Sequence, residues 1–200
     1  MHIIYKAMEE KNISEQEGLA IIQNMIAQSK QRIVDRSKYF LMWGIAVFIC
    51  AIAQYVLLKN LQTGTQKVWL LMPLLAVVQV VLSYRDRKIE RVVTFTRNAI
   101  SSVWISLGIG FFILAFLSAR ISFDMFPFLI LFYAIGTFIT GRIIEFRPLI
   151  IGGAFSFLLS IGITYIDGPE KLLVLALSVL VSYIIPGILL KREFKKEQKA

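Results

Sequence analysis

The sequence predicts an all-α fold, a polytopic membrane bundle of six transmembrane helices preceded by an amphipathic N-terminal helix. Three observations carry that prediction. Of the 200 residues, 57% are hydrophobic and only 18% are charged, where soluble domains hold roughly 45–50% apolar residues; mean hydropathy is +0.70. The apolar residues gather into six runs of 17–20 residues, long enough for a helix rising about 1.5 Å per residue to cross a hydrocarbon core roughly 30 Å thick. The net charge of +9 is confined to the segments between those runs. Together these exclude a soluble globular enzyme. A single cysteine, Cys50, excludes an intramolecular disulfide, and a single histidine, His2, excludes a His-rich metal site.

Residues 1–38 are polar and mixed in charge, unlike the basic-then-apolar pattern of a cleavable secretory signal. Within them, residues 14–34 predict an amphipathic helix. Ser14 and Glu17 have the spacing of a capping box, in which each side chain satisfies a free backbone N–H of the first turn. Leu19, Ile22, Ile26 and Ile33, with Ile21 and Met25 beside them, form an apolar stripe opposite Gln23, Asn24, Lys30 and Gln31. Such a helix either lies in the headgroup plane or docks a protein partner through Leu19, Ile22, Met25 and Ile26.

The membrane domain runs from 39 to 190, with spans at about 39–58, 68–84, 99–117, 125–141, 149–166 and 172–190. The second and fourth are the shortest, so they stand nearly upright or thin the bilayer locally. Tyr39, Phe40, Trp43, Trp69, Tyr84, Trp104 and Tyr165 lie near span ends, where amphipathic rings anchor at the interface. The connections after spans 3, 4 and 5 are short and imply antiparallel neighbours. Trp43 and Trp104 early in spans 1 and 3, with Pro73, Pro127 and Pro186 in the even spans, are a faint sign of repeated hairpins.

Orientation follows from the basic residues. Sixteen Lys and Arg lie in the approach to span 1 at 30–38, in the second and fourth connections, or in the tail at 191–200; four lie in the alternate connections. Since Lys and Arg near spans are retained in the cytoplasm, both termini are expected there, in the cytoplasmic (inner) membrane. Arg85, Arg87 and Lys88 in the second connection, and Arg142 and Arg147 in the fourth, are the expected contacts for anionic lipid headgroups. Topology alone would also account for them. The basic tail accompanies no nucleic-acid-binding fold, so no nucleic acid is expected as a partner.

Inside the spans, small and polar residues recur every fourth position: Ala46, Cys50 and Gln54; Ser102, Ser106 and Gly110; Tyr133, Thr137 and Gly141; Gly152, Ser156, Ser160 and Thr164; Ser178, Ser182 and Pro186. Gln54, Gln79, Ser102, Ser106, Thr137, Ser156, Ser160 and Ser182 are therefore expected either to pack helices together or to line a polar solute path. The same stripes could join two copies of the chain, so homo-oligomerisation stays open. No Asp, Glu, Lys, Arg or His falls inside the six spans as drawn. Proton relays, voltage sensors and ion-coupled pumps commonly place such groups at membrane depth, and Ser, Tyr and Cys50 have no base to activate them. No catalytic residue, cofactor or metal is expected. An enzyme acting on headgroups at Arg142, Glu145 and Arg147 would have one carboxylate where acid–base work usually needs a pair.

Tyr39–Gly44 (YFLMWG), Tyr133–Gly141 (YAIGTFITG), Arg147–Gly153 (RPLIIGG) and Ile184–Lys191 (IIPGILLK) carry a resemblance to a family of small uncharacterised six-span bacterial membrane proteins that begin with a polar helix. The resemblance implies a fold and a location and supplies no activity. The expected function is thus non-enzymatic, regulatory or scaffolding, through the cytoplasmic helix and basic loops. The alternative is a small uncharged-solute or lipid transporter or channel.

Overall fold

A computed structural model describes residues 37–61, 65–89 and 95–197. The amphipathic helix expected at 14–34, with Leu19, Ile22, Met25 and Ile26, lies outside the described residues. The described residues are helical and contain no strand. Helix α1 is Ser37–Leu61; a 3-10 turn, Thr65–Leu70, leads into α2, Leu71–Ile89; α3 is Phe95–Ser118, α4 Phe126–Ile143 and α5 Arg147–Gly162. The last span is composite: α6, Lys171–Val179, a π-helical turn, Leu180–Ile184, and α7, Ile185–Glu197. Six stretches are long and apolar enough to cross a membrane. The chain is an all-α multi-pass membrane bundle.

Prolines stand where helix chemistry tolerates them. Pro127 and Pro148 fall in the first turns of α4 and α5, where the missing N–H has no intrahelical partner to lose. Pro186 lies inside the last span, and the π turn immediately before it, with the Ile185 N–H bonded back to the Leu180 carbonyl, absorbs the carbonyl that the ring would otherwise strike. Between α4 and α5 the chain reverses in three residues. The Phe146 N–H reaches back to the Gly141 carbonyl at 2.9 Å, and Glu145 takes φ of 56° to make the turn, a conformation unusual for a side chain bearing a Cβ.

The centre of the bundle is built by α1, α4, α5 and the composite last span. Val47 and Ala51 of α1 meet Ile130 of α4 and Leu175, Val179 and Tyr183 of the last span in one buried cluster. The most extensive helix pairing is α4 with α5, and glycines explain it. A Cβ on Gly153 would lie 2.8 Å from the backbone nitrogen of Phe138, and one on Gly141 would lie 2.8 Å from that of Ile150. Gly152, next in sequence to Gly153, faces the other way: its Cβ would meet the Val181 carbonyl oxygen at 2.6 Å. One diglycine step therefore brings α5 close to two helices at once, the small-residue contact that membrane helices use where hydrophobic drive is absent.

The remaining helices are peripheral. Helix α2 packs on α1 and α3 packs on α4; in its spanning window α2 buries none of its residues and α3 very few. The most extensive pairings, α4 with α5 and α1 with α6, are thus not the hairpins of spans 1–2, 3–4 and 5–6 that the repeat pattern suggested. Short connections constrain neighbours in sequence, but burial is decided by where backbones can come close.

Candidate functional site

The polar groups inside the bundle form separate, locally satisfied sets. In the first, the indole N–H of Trp43 on α1 donates to Oε1 of Gln79 on α2. In the second, the indole N–H of Trp104 on α3 donates to Oγ1 of Thr140 on α4 at 3.1 Å. Both pairs are 36 residues apart along the chain, so each of the first two hairpins is fastened by an early tryptophan of its odd span. In the third, the Trp69 indole N–H donates to Oε1 of Gln54 at 2.5 Å. An indole N–H in hydrocarbon needs an acceptor, and that need turns these three rings inward. Among the anchors whose side chains are described, Tyr84 and Tyr165 are exposed.

The fourth set lies between α5 and the last span. Oγ of Ser178 donates to Oγ of Ser156 at 2.9 Å, and Oγ of Ser182 donates to the Ser178 carbonyl at 2.7 Å; all three serines are fully buried. Ser160, also buried, donates within its own helix to Phe157, and Thr137 does the same to Tyr133. Above them, edge-on contacts link Trp104 to Tyr183 and Tyr133 to Tyr183, each with centroids 5.4 Å apart. No buried side-chain N or O among the described residues lacks a partner.

Two of the predicted residues are placed differently. Ser102 and Ser106 lie on the exposed face of α3, away from the bundle. The reason is Trp104: its bulk and its bond to Thr140 rotate α3 so that Trp104 and Leu107 cover Gly136 of α4, while Gly110 takes the ring of Phe132. A period of four marks a face but not which face is occupied. Thr164, last of the α5 stripe, is exposed as well.

A recess of about 400 Å³ opens where α1 ends and α6 begins. Its lining is Gln54, Leu58, Phe126, Gly168, Pro169 and Leu172. Two ion pairs stand at this end of the bundle. Lys59 bonds Glu170 at 3.0 Å in an exposed pair, while Lys171, whose side chain is 15% exposed, holds Asp124 at 2.5 Å and has Asp167 at 4.0 Å. Asp124 also accepts the Phe126 N–H at 3.1 Å, so one carboxylate both starts α4 and ties it to the start of α6. These pairs join residues 111 and 47 positions apart, and nothing in hydropathy or charge counting marks them. The signal available was slight: Asp124 and Lys171 each stand immediately before an apolar run.

At the opposite end, Arg142, Glu145 and Arg147 are exposed around the α4–α5 turn. They form no ion pair with one another. Arg85 is exposed near the end of α2, and Arg87 and Lys88 follow it on the same helix. Cys50 is buried, and its thiol donates to the Val68 carbonyl at 3.4 Å, the weak bond of a packed small side chain.

Helices of this length and hydropathy, with polar groups satisfied internally, define a multi-pass membrane protein. Comparison with protein-family models, with curated proteins and with solved structures finds no match.

Proposed function

We propose that the protein is a non-enzymatic component of a bacterial cytoplasmic (inner) membrane, both termini cytoplasmic, that regulates or scaffolds a partner through its N-terminal helix and its basic connections. The resemblance in YFLMWG, YAIGTFITG, RPLIIGG and IIPGILLK supports the bacterial membrane location and is silent on the role. The observation that carries the reading is the division of the interior polar groups into separate sets. Gln54, Gln79, Thr137, Ser156, Ser160 and Ser182 do not share one cavity, and of these only Gln54 borders the recess. A solute route needs polar groups facing a common path. Arg85, Arg142 and Arg147 are exposed; on this reading they face the cytoplasm together with Arg87, Lys88 and the apolar stripe of Leu19, Ile22, Met25 and Ile26 expected from the sequence. Anionic headgroups suit the basic groups, each contributing about 1 kcal/mol near a charged surface.

The test is affinity purification of the full chain from native membranes beside a variant lacking residues 1–35. A stoichiometric protein partner that disappears with the deletion, while the spans still insert, supports the reading. Equal recovery from both, or solute flux through the reconstituted full chain, refutes it.

A further inference from the structure

Charges of both signs stand unpaired where α4 turns into α5. Arg142, Glu145 and Arg147 are all exposed. The carboxylate lies three residues from one guanidinium and two from the other, yet it pairs with neither. The turn itself does not call for a glutamate, since the φ of 56° at Glu145 is adopted most readily by Gly or Asn.

Helix geometry puts the two arginines on one side of the hairpin. Contacts between α4 and α5 run from Gly141 to Ile150 and from Phe138 to Gly153. At about 100° of rotation per residue, Arg142 lies about 40° beyond Phe138 and Arg147 about 60° beyond Ile150. Because the helices are antiparallel, these two rotations open onto the same outer face. The last span packs on α5 through Gly152 and Ser156, about 140° and 180° around the helix from Arg147. That span, with Lys191 and Arg192 near its end, therefore lies on the other side of α5, and Arg85 belongs to α2, which packs on α1.

Ile143 ends the fourth apolar stretch and Arg147 begins the fifth, so the three charges stand at the boundary where hydrocarbon gives way to headgroups. One turn deeper, Ile139 below Arg142 and Ile151 below Arg147 are exposed and offer apolar surface to acyl chains. Charge complementarity then specifies the headgroup. Two guanidiniums on one face hold a phosphate, and a carboxylate beside that phosphate is repelled unless the ligand also carries a cation.

We propose that this turn is a binding site for a zwitterionic aminophospholipid, its phosphate held by Arg142 and Arg147, its ammonium by Glu145, and its acyl chains lying over Ile139 and Ile151. This rests on the headgroup contacts proposed above for Arg142 and Arg147 and replaces the anionic headgroup at this position by a zwitterionic one.

The experiment is native mass spectrometry of the full chain released from micelles holding equal amounts of dioleoyl phosphatidylethanolamine and dioleoyl phosphatidylglycerol, which differ in mass. Glu145→Gln is expected to lower the retained ratio of ethanolamine to glycerol lipid about 2–5-fold relative to wild type, the range of one exposed ion pair. Asp167→Asn, which removes another exposed carboxylate at the opposite end, should leave the ratio unchanged, and Arg142→Gln with Arg147→Gln should reduce retention of both lipids. An unchanged ratio in Glu145→Gln, or an equal fall in Asp167→Asn, overturns the proposal; if the double arginine variant still loses lipid, the headgroup contacts proposed above survive that result. A double variant that retains both lipids at the wild-type level overturns the site and those contacts together. All four side chains are exposed, so the variants are expected to fold as the wild type does.

Discussion

Replacing Gly153 by alanine is expected to destabilise the bundle by about 1–2 kcal/mol. The added Cβ would lie 2.8 Å from the Phe138 backbone nitrogen and 2.9 Å from its Cα, whereas ordinary contact begins at 3.4 Å. The shortfall is about 0.6 Å, and because the obstacle is backbone, no rotamer change can supply it. Helix α5 must therefore move from α4. Overpacking of this kind costs typically 1–3 kcal/mol, and the better helix propensity of alanine returns at most about 1 kcal/mol. Gly108→Ala and Gly162→Ala serve as references, since nothing lies within 4 Å of the Cβ that either would add. The assay is thermal unfolding in mild detergent followed by tryptophan fluorescence, with Gly153→Ala expected about 2–8 °C below wild type and both references unchanged or higher. If Gly153→Ala melts with the references, the close approach of α4 and α5 is not what holds this pair, and the account of the diglycine step fails.

Two further predictions address the polar contacts. Trp104→Phe and Thr140→Val should each lower stability by about 1 kcal/mol, and a double-mutant cycle on the same melt should return a coupling of about 0.6 kcal/mol, the usual size for interhelical bonds in membranes; a coupling of zero would mean that the Trp104–Thr140 bond does not fasten α3. Asp124→Asn removes the main partner of a largely buried Lys171 and is expected to cost about 1–2 kcal/mol, whereas Lys59→Gln at the exposed pair should leave the melt unchanged. Equal effects from the two would argue that burial does not distinguish these ion pairs.

The spans were legible in the sequence because bilayer thickness demands an unbroken run of apolar residues, and runs survive any rearrangement of helices around one another. The need of Gln54 and Gln79 for partners was legible for a similar reason: a buried amide must bond something. What it bonds was not legible, because Trp43 and Trp69 sit near span ends where interfacial anchoring is the commoner fate of the residue. Ser102 and Ser106 show the limit of periodicity. They have the same spacing as Ser178 and Ser182, yet one pair is outside and the other inside, and the difference lies in the neighbouring Trp104. The recess escaped notice altogether, since its lining comes from three places in the chain, at 54–58, 126 and 168–172, and five of the six residues are unremarkable alone.

The separation between Lys59 and Glu170 also bears on how the protein is made. They are 111 residues apart, and at roughly 5–20 residues per second the second emerges about 6–22 s after the first. Through that interval α1 has been synthesised without the last span that will cover it, and its Gln54 would meet lipid alone. Trp69 arrives only 15 residues later. The Trp69–Gln54 bond can therefore act as a chaperone within the nascent chain, keeping the amide oxygen satisfied from the moment the first hairpin forms until its permanent neighbours leave the ribosome.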